Sequence, residues 1–394
     1  MKQHTDINSE ECLLLTLCCL DLNDDRISDI VNLLTIVSDW KYFTKLCNDH
    51  GVAALAFNNL EKAGLLGKFP VEAEAFLRNA FYMSMSRNAR NMRMMQECLD
   101  ILNCEGIKTV FLKGMALEHI VYGNCGLRQM SDADVLVDHS VILEAYNRLI
   151  RKGFTPLPVK SVFHRPIIAY YGKHLPSLIK DGFSIELHHE LFSRENHYLT
   201  EILLSTAREV NISGRKAWLP EPQILFLYLV WHLHKHEVSN DSQLRLYTDL
   251  VVMIGKYGNE IVNNRLVELA GKSGMNEILA TKLWCLREYW ETEMPGWLME
   301  YTEKWRDTTF SEKFIFFLGS PKENPVTAGS GSYREKFAEI QGFHRKVLYL
   351  LGDLFPTLSF MKKRYKCDSA LKAILYYPHR WGKLAWLLGR KTGG

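Results

Sequence analysis

The sequence predicts an α+β chain in which a small mixed-sheet core is flanked by N-terminal and C-terminal helical regions. Three observations predict it. Apolar residues recur at helical spacing through 1–104. Between 105 and 200, β-branched and aromatic runs broken by glycine alternate with short helical patterns in the order β-α-β-α-β-β. Helical periodicity then returns over 201–318, and a basic helical tail follows at 333–394.

Each element has a local reason. Leu13, Leu14, Leu17 and Leu20 share a helical face, as do Leu46, Val52, Leu55, Phe57 and Leu60. Val71–Leu102 contains neither proline nor glycine and reads as one long amphipathic helix, with Phe76, Ala80, Met83, Met94 and Leu99 as apolar positions. The methionines at 83, 85, 92, 94 and 95 read as core filling. Lys108–Leu112 is a strand, Met115–Tyr122 a short helix, Gly123–Met130 a loop and Asp132–Val137 a second strand. A helix over Val141–Lys152 ends at Gly153. His174–Lys180 and Phe183–Leu191 flank Asp181-Gly182, a strong signal for a two-residue hairpin. Pro220 and Pro222 introduce a helix through Ile224–His236, and Leu244–Tyr257 is the next. The Gly-, Ser- and Pro-rich stretch Gly319–Tyr333 separates the tail from the body.

Composition excludes several classes. Apolar residues make up 47% of the 394 and charged residues 24%, so the chain is neither largely disordered nor collagen-like nor a coiled coil. A net charge of +3 gives no global argument for nucleic acid. The nine cysteines are odd in number, scattered and without a CxxC pair, which fits reduced, mostly buried thiols in a cytoplasmic protein. The first apolar run, Cys12–Leu20, follows Glu10 and Glu11 and meets Asp21, so it does not resemble a secretory signal. No apolar stretch approaches the roughly 20 residues that span a bilayer. The expected protein is soluble and cytoplasmic.

The chemistry concentrates in Ser131-Asp132-Ala133-Asp134-Val135-Leu136-Val137. Alternate side chains of a strand share a face, so Asp132 and Asp134 point one way and Ala133, Val135 and Val137 the other. Two carboxylates on one face repel each other and call for a cation, and oxygen ligands of this kind suit Mg²⁺. Ser184, Glu186, His188 and Glu190 alternate in the same manner. If the two strands are neighbours, Glu186 becomes a third carboxylate beside the pair, an arrangement suited to two-metal phosphoryl transfer. A solvated polar strand face is the competing reading. Arg128 fits either a phosphate or an ion pair with Asp138 or another acid. His188 fits a role in orienting Glu186 or touching an acceptor, or a structural hydrogen bond. His232 and His236 have metal-ligand spacing on one helix face but lack the usual glutamate, so a pairing of His232 with Asp249 on the next helix is expected.

These motifs, taken in order, resemble the polymerase-β-type nucleotidyltransferase superfamily. More narrowly, they resemble the bacterial family of uncharacterised nucleotidyltransferases over roughly residues 40–260. The resemblance rests on Lys113-Gly114, Tyr122, Arg128, Asp132 and Asp134, Glu186-Leu187-His188, His232, and Leu244-Arg245 with Asp249-Leu250. It implies a nucleotidyltransferase-like core and Mg²⁺-dependent transfer of AMP from ATP to an acceptor hydroxyl or phosphate. Asp132, Asp134 and Glu186 would be the catalytic and metal residues, for one or two Mg²⁺ ions. Lys113, Gly114, Arg128 and Ser131 would hold the nucleotide. Where the superfamily usually carries Gly-Ser after the first strand, this chain has Lys113-Gly114-Met115, so Lys113 would supply charge in place of the hydroxyl. The acceptor is left open among small molecule, sugar, protein side chain and RNA. The alternative is a non-catalytic scaffold that binds a nucleotide or a partner on the same fold. The tail over 341–394 carries eleven Lys/Arg against Asp353 and Asp368, and its Tyr376, Tyr377, Trp381 and Trp386 suit contact with an anionic surface or packing on the body.

Overall fold

The computed structural model describes residues 7–164, 167, 172–320, 337, 340 and 342–389. A seven-stranded mixed sheet lies among helices. Its strands are β1 (Val110–Phe111), β2 (Ala133–Leu136), β3 (Thr155–Pro156), β4 (Leu178–Lys180), β5 (Phe183–His188), β6 (Arg208–Ile212) and β7 (Arg215–Leu219), in the spatial order β3-β4-β5-β2-β1-β7-β6. β2 therefore occupies the centre. It runs antiparallel to β1 and parallel to β5, and β1 runs parallel to β7.

The hairpin expected at Asp181-Gly182 is present. Both turn residues have positive φ, 49° and 74°, as a tight turn matched to strand twist requires. The sheet also extends past residue 200: β6 and β7 are joined by Ser213-Gly214, with φ of 50° and 84°. The same turn chemistry therefore serves twice, the second time inside a stretch expected to be helical.

One helix spans Val71–Asn103. Its buried face is Ala73, Leu77, Ser84, Asn88, Asn91, Met95, Cys98, Leu99 and Leu102. The middle of that face is thus polar. Met83, expected in the core, is 64% exposed. The polar middle serves to hold a loop. Asn88 Nδ2 donates to the carbonyls of Cys125 (2.6 Å) and Arg128 (2.7 Å), fixing the segment that leads into β2. Helices Pro222–Val238 and Leu244–Tyr257 pack against each other, and their apolar residues join those of the N-terminal helices and strands in one continuous core.

The Gly/Ser/Pro-rich stretch expected at 319–333 falls mostly outside the described residues. Beyond it, helices Phe343–Leu354, Leu358–Tyr365 and Ala370–Gly389 form the tail. The tail docks on 160–164. Lys160 pairs with Asp353, Ser161 Oγ donates to Phe355 O (2.8 Å), and Thr357 N donates to Lys160 O (2.8 Å). Its aromatics are used within the tail itself: Tyr365 stacks on Tyr376, and Trp381 Nε1 donates to Leu354 O. Trp386 and the last basic residues lie outside the described side chains. Among the described residues, no helix is long and apolar enough to cross a membrane.

Candidate functional site

Strand pairing builds the site. In the parallel register of β2 and β5, Asp134 lies opposite Glu186 and Leu136 opposite His188. Directly paired residues face the same way, and positions two apart on a strand share a face. Asp134, Glu186 and His188 therefore converge. One ligand atom from each lies within 4.8 Å of the other two. His188 Nε2 stands 2.8 Å from Asp134 Oδ1 and 3.6 Å from Glu186 Oε2. Ser177 Oγ, on the way into β4, donates to Glu186 Oε1 at 2.8 Å, and His174 Nδ1 lies 3.9 Å from Glu186 Oε2.

The charge that sequence reasoning sought beside the carboxylates is supplied in part by the protein. Lys113 Nζ donates to Asp134 Oδ1 at 2.8 Å. Lys113 opens the short helix Lys113–Leu117 with φ of 45°, an unusual conformation for a residue with a side chain. Burial alone would push the Asp134 carboxyl up. The Lys113 ammonium and the His188 hydrogen bond overcome it and hold Asp134 far below the usual carboxylate range. Glu186, against the same burial, is brought down to about 2 by His188, His174 and Ser177. Asp132 behaves differently. It lies just before β2, outside the converging set, with Ser131 Oγ donating to its Oδ1 at 2.8 Å. Burial and the neighbouring Asp134 charge raise its carboxyl.

Gly114 has a steric reason. A Cβ there would lie 2.5 Å from the Arg128 guanidinium and 2.6 Å from Met130 Sδ. The left-handed residue of the turn is Lys113, and Gly114 serves the close packing of Arg128 and Met130.

The sequence leaves Arg128 open between a phosphate and an acid, with the resemblance implying the nucleotide, and the structure pairs it with an acid, Asp249. Its Nε and Nη2 donate to the two carboxylate oxygens of Asp249, each at 2.7 Å, and Tyr122 OH donates to Asp249 Oδ1 at 2.9 Å. The guanidinium and the carboxylate are both buried. Burial pulls the Arg128 pKa down, and Asp249, joined by Tyr122 and Asp134, raises it above its ordinary value. A fork-shaped cation that meets a carboxylate with both prongs in a dry setting is held there and has little left to offer a nucleotide. The same contact corrects the expected pairing of His232 with Asp249. His232 packs instead against the Tyr228 and His236 rings, and His236 Nδ1 lies 2.9 Å from Asp241 Oδ1. His232 is driven well below its ordinary value by burial and then by the Lys113 charge, so it borders the carboxylate site. Tyr228, one turn earlier, borders it too: burial raises its phenol, and the charges of Lys113, Asp134 and Glu186 act on it.

The helical Leu-Arg-x-x-x-Asp-Leu motif thus has a legible purpose. Arg245 donates to the carbonyl of Gln129, and Asp249 grips Arg128. Both residues brace the loop that delivers Ser131 and Asp132. Sequence reasoning missed Asn88, Ser177 and Tyr228. Only Asn88 left a signal, the recurrence of Ser84, Asn88 and Asn91 at helical spacing.

These features define a mixed-sheet core that carries a carboxylate–histidine cluster braced by helices. The sequence profile described as uncharacterised nucleotidyltransferase matches residues 37–291. The chain belongs to that family. No curated protein matches it. Among solved structures, an antigenic nucleotidyltransferase-like protein from Paracoccidioides brasiliensis is similar at 17% identity and a TM-score of 0.30, over 50% of this chain and 89% of its own.

Proposed function

We propose that this chain transfers a nucleotidyl group, AMP from ATP, to a hydroxyl or phosphate of an acceptor, with a divalent cation such as Mg²⁺ held at Asp134 and Glu186 and assisted by Asp132. The observation that carries the reading is the register that sets Asp134 against Glu186, in a chain of this family. The donor set fits the cation. Both carboxyls are held ionised despite burial, as ligation requires.

A bound cation would neutralise the triphosphate and favour displacement at its α-phosphorus. The chain's own residues do the rest. Lys113, now the counter-charge of Asp134, is the nearest ammonium for the phosphates once the carboxylate has another partner. Glu186, down at about 2, is a poor proton acceptor at neutral pH and is better suited to ligation than to general-base work. In the reaction the acceptor oxygen bonds to the α-phosphorus and loses its proton to the solvent or a nearby base. The bond from the α-phosphorus to the bridging oxygen breaks, and pyrophosphate leaves.

The test is release of pyrophosphate and retention of label from α-³²P-ATP, with Mg²⁺ and a panel of acceptors, in wild type and in Asp132→Asn/Asp134→Asn. Metal-dependent release that the double variant lacks supports the reading. The scaffold reading draws on one observation, the Lys113–Asp134 ion pair that already satisfies the central carboxylate. ATP binding that ignores Mg²⁺, with no pyrophosphate for any acceptor, would favour it.

A further inference from the structure

We propose that His188 is a direct ligand, through Nε2, of the divalent cation held by Asp134 and Glu186, so that the site carries one nitrogen donor among its oxygens and favours Mn²⁺ over Mg²⁺. The proposal rests on the nucleotidyl-transfer reading only in expecting a divalent cation at this cluster.

Four observations carry it. The mutually close set among the described residues is Asp134, Glu186 and His188; Asp132 is not in it. The β2–β5 register and the two-residue repeat of β5 place His188 on the face of Glu186, so the imidazole is aimed by the backbone and not by a flexible stem. The spacing suits one coordination shell. Adjacent ligands on an ion bound at about 2.1 Å stand about 3 Å apart, and His188 Nε2 lies 2.8 Å from Asp134 Oδ1 and 3.6 Å from Glu186 Oε2. Finally, Asp134 Oδ1 gathers two nitrogen donors at once, Lys113 Nζ and His188 Nε2, both at 2.8 Å. That oxygen is where the protein concentrates positive charge. A cation arriving there takes the place of Lys113 Nζ, and the proton that His188 Nε2 gives to Asp134 is released to solvent, so that the Nε2 lone pair binds the ion.

The chemistry of the donors sets the preference. Mg²⁺ takes oxygen ligands and gives up water reluctantly, whereas an imidazole suits first-row transition ions. Two carboxylates and an imidazole are a mixed set, hard enough for Mn²⁺ and unlike the three-carboxylate set expected from the strand pattern alone.

The experiment is electron spin-echo envelope modulation on the full chain loaded with Mn²⁺ alone, in protein carrying ¹⁴N and in protein labelled with ¹⁵N-histidine. Modulation from a directly bound imidazole nitrogen is expected, and its frequencies should change with the label. It should vanish in His188→Ala and survive in His174→Ala and His232→Ala. Mn²⁺ affinity should fall by about tenfold or more in His188→Ala. The isotope comparison needs no substitution, so it stands if His188→Ala fails to fold; His188→Gln is the second variant. Bound Mn²⁺ without nitrogen modulation overturns the proposal, as does modulation that persists in His188→Ala. If Mn²⁺ alone does not bind, the measurement is repeated with α,β-methylene-ATP, and failure to bind there also overturns it. The two readings fail separately. Nitrogen modulation in a protein that never releases pyrophosphate sinks nucleotidyl transfer and keeps the ligand. Transfer with an all-oxygen shell does the reverse.

Discussion

Arg128 and Asp134 stand six residues apart, and each anchors a buried ion cluster, yet the clusters are built on opposite principles. Around Arg128 every charge is answered. Both oxygens of Asp249 receive a guanidinium prong, and Tyr122 adds a third donor. Around Asp134 the set stays open. Two carboxylates share one lysine and the His188 ring, with Ser177 and His174 beside Glu186, and the lysine is held in a left-handed backbone conformation. A closed cluster of this kind fixes architecture; an open one is poised to take a further cation. The closed cluster braces the loop that presents the open one, so Asp249 serves the site without facing it.

The largest expected effect tests the closed cluster. Arg128→Ala strips both guanidinium hydrogen bonds from the buried Asp249, leaving it the Tyr122 hydroxyl and the more distant Arg245 charge, which should cost about 3–5 kcal/mol in chemical denaturation. A loss under about 1 kcal/mol would mean that Arg128 is not structural and would restore it as a phosphate ligand.

Next comes the open cluster, where activity should fall further than stability. Asp134→Asn should reduce nucleotidyl transfer by roughly 10²–10³-fold or more, because an amide does not neutralise a cation. Two like carboxylates alone would predict a stability gain from the same change. The structure predicts a loss of about 1–3 kcal/mol without cation, because the Lys113 ammonium and His188 exchange a charged carboxylate acceptor for a neutral amide oxygen. The loss stays below that of Arg128→Ala because Lys113 is partly exposed and can turn to water. The pH dependence has a definite sign. The carboxyl of Asp134 is depressed by folding, so its contribution is complete above the unfolded value near 3.8 and disappears as pH falls through the lower folded value. Denaturation of wild type and variant between pH 7 and 2 measures it; parallel curves would contradict it.

Gly114→Ala sharpens the comparison because it touches both clusters. The new Cβ meets Arg128 and Met130 at under 3 Å and sits next to Lys113. Overpacking of this kind should cost about 1–3 kcal/mol. ATP-dependent stabilisation in a thermal shift assay should weaken as well. Unchanged stability would show that the contact relaxes freely.

Much of this was legible, and the boundary of legibility is physical. Period-two alternation placed Asp134 and Glu186 correctly because a strand's faces are local properties. The Asp181-Gly182 turn was legible because only a few residues accept positive φ at two successive positions. Ser213-Gly214 obeys the same rule, so the hairpin of β6 and β7 was readable and was overlooked beneath the apolar helices around it. Partners across the chain were not readable. Arg128 and Asp249 are 121 residues apart, and spacing along a strand or helix says nothing about which of several acids an arginine will meet. Lys113 was legible as the cation beside the carboxylates, but the left-handed φ that aims it was not, because its residue type rarely adopts one. Asp132 shows the limit of pattern from the other side. It alternates with Asp134, but it lies just before the regular strand begins, where alternation no longer dictates direction.

The smallest expected effect lies outside both clusters, at the joint between tail and body, where a histidine is buried without a closed set of partners. His164 is enclosed by the tail: its Nε2 lies 3.1 Å from Tyr349 O and 3.7 Å from Asp353 Oδ1, and Gly352 leaves room for no side chain against it. Burial lowers its pKa. The nearby Lys160 and Arg380 charges work the same way, and together they outweigh the Tyr349 carbonyl and Asp353. An undocked tail would return His164 toward its ordinary 6.5, so the undocked state binds more protons below that value. Docking should therefore weaken as pH falls below 6.5, and one proton limits the change to about tenfold in the opening equilibrium per pH unit. Hydrogen exchange of 343–365, corrected for intrinsic rate, should show full protection at pH 7.5 and reduced protection at pH 5.5. His164→Gln should flatten that difference, because glutamine fills much of the space and does not titrate. Equal protection at both pH values in wild type would show that Asp353 compensates the charge. A pH dependence that survives in His164→Gln would trace it to another group, and the joint would then belong with the closed cluster.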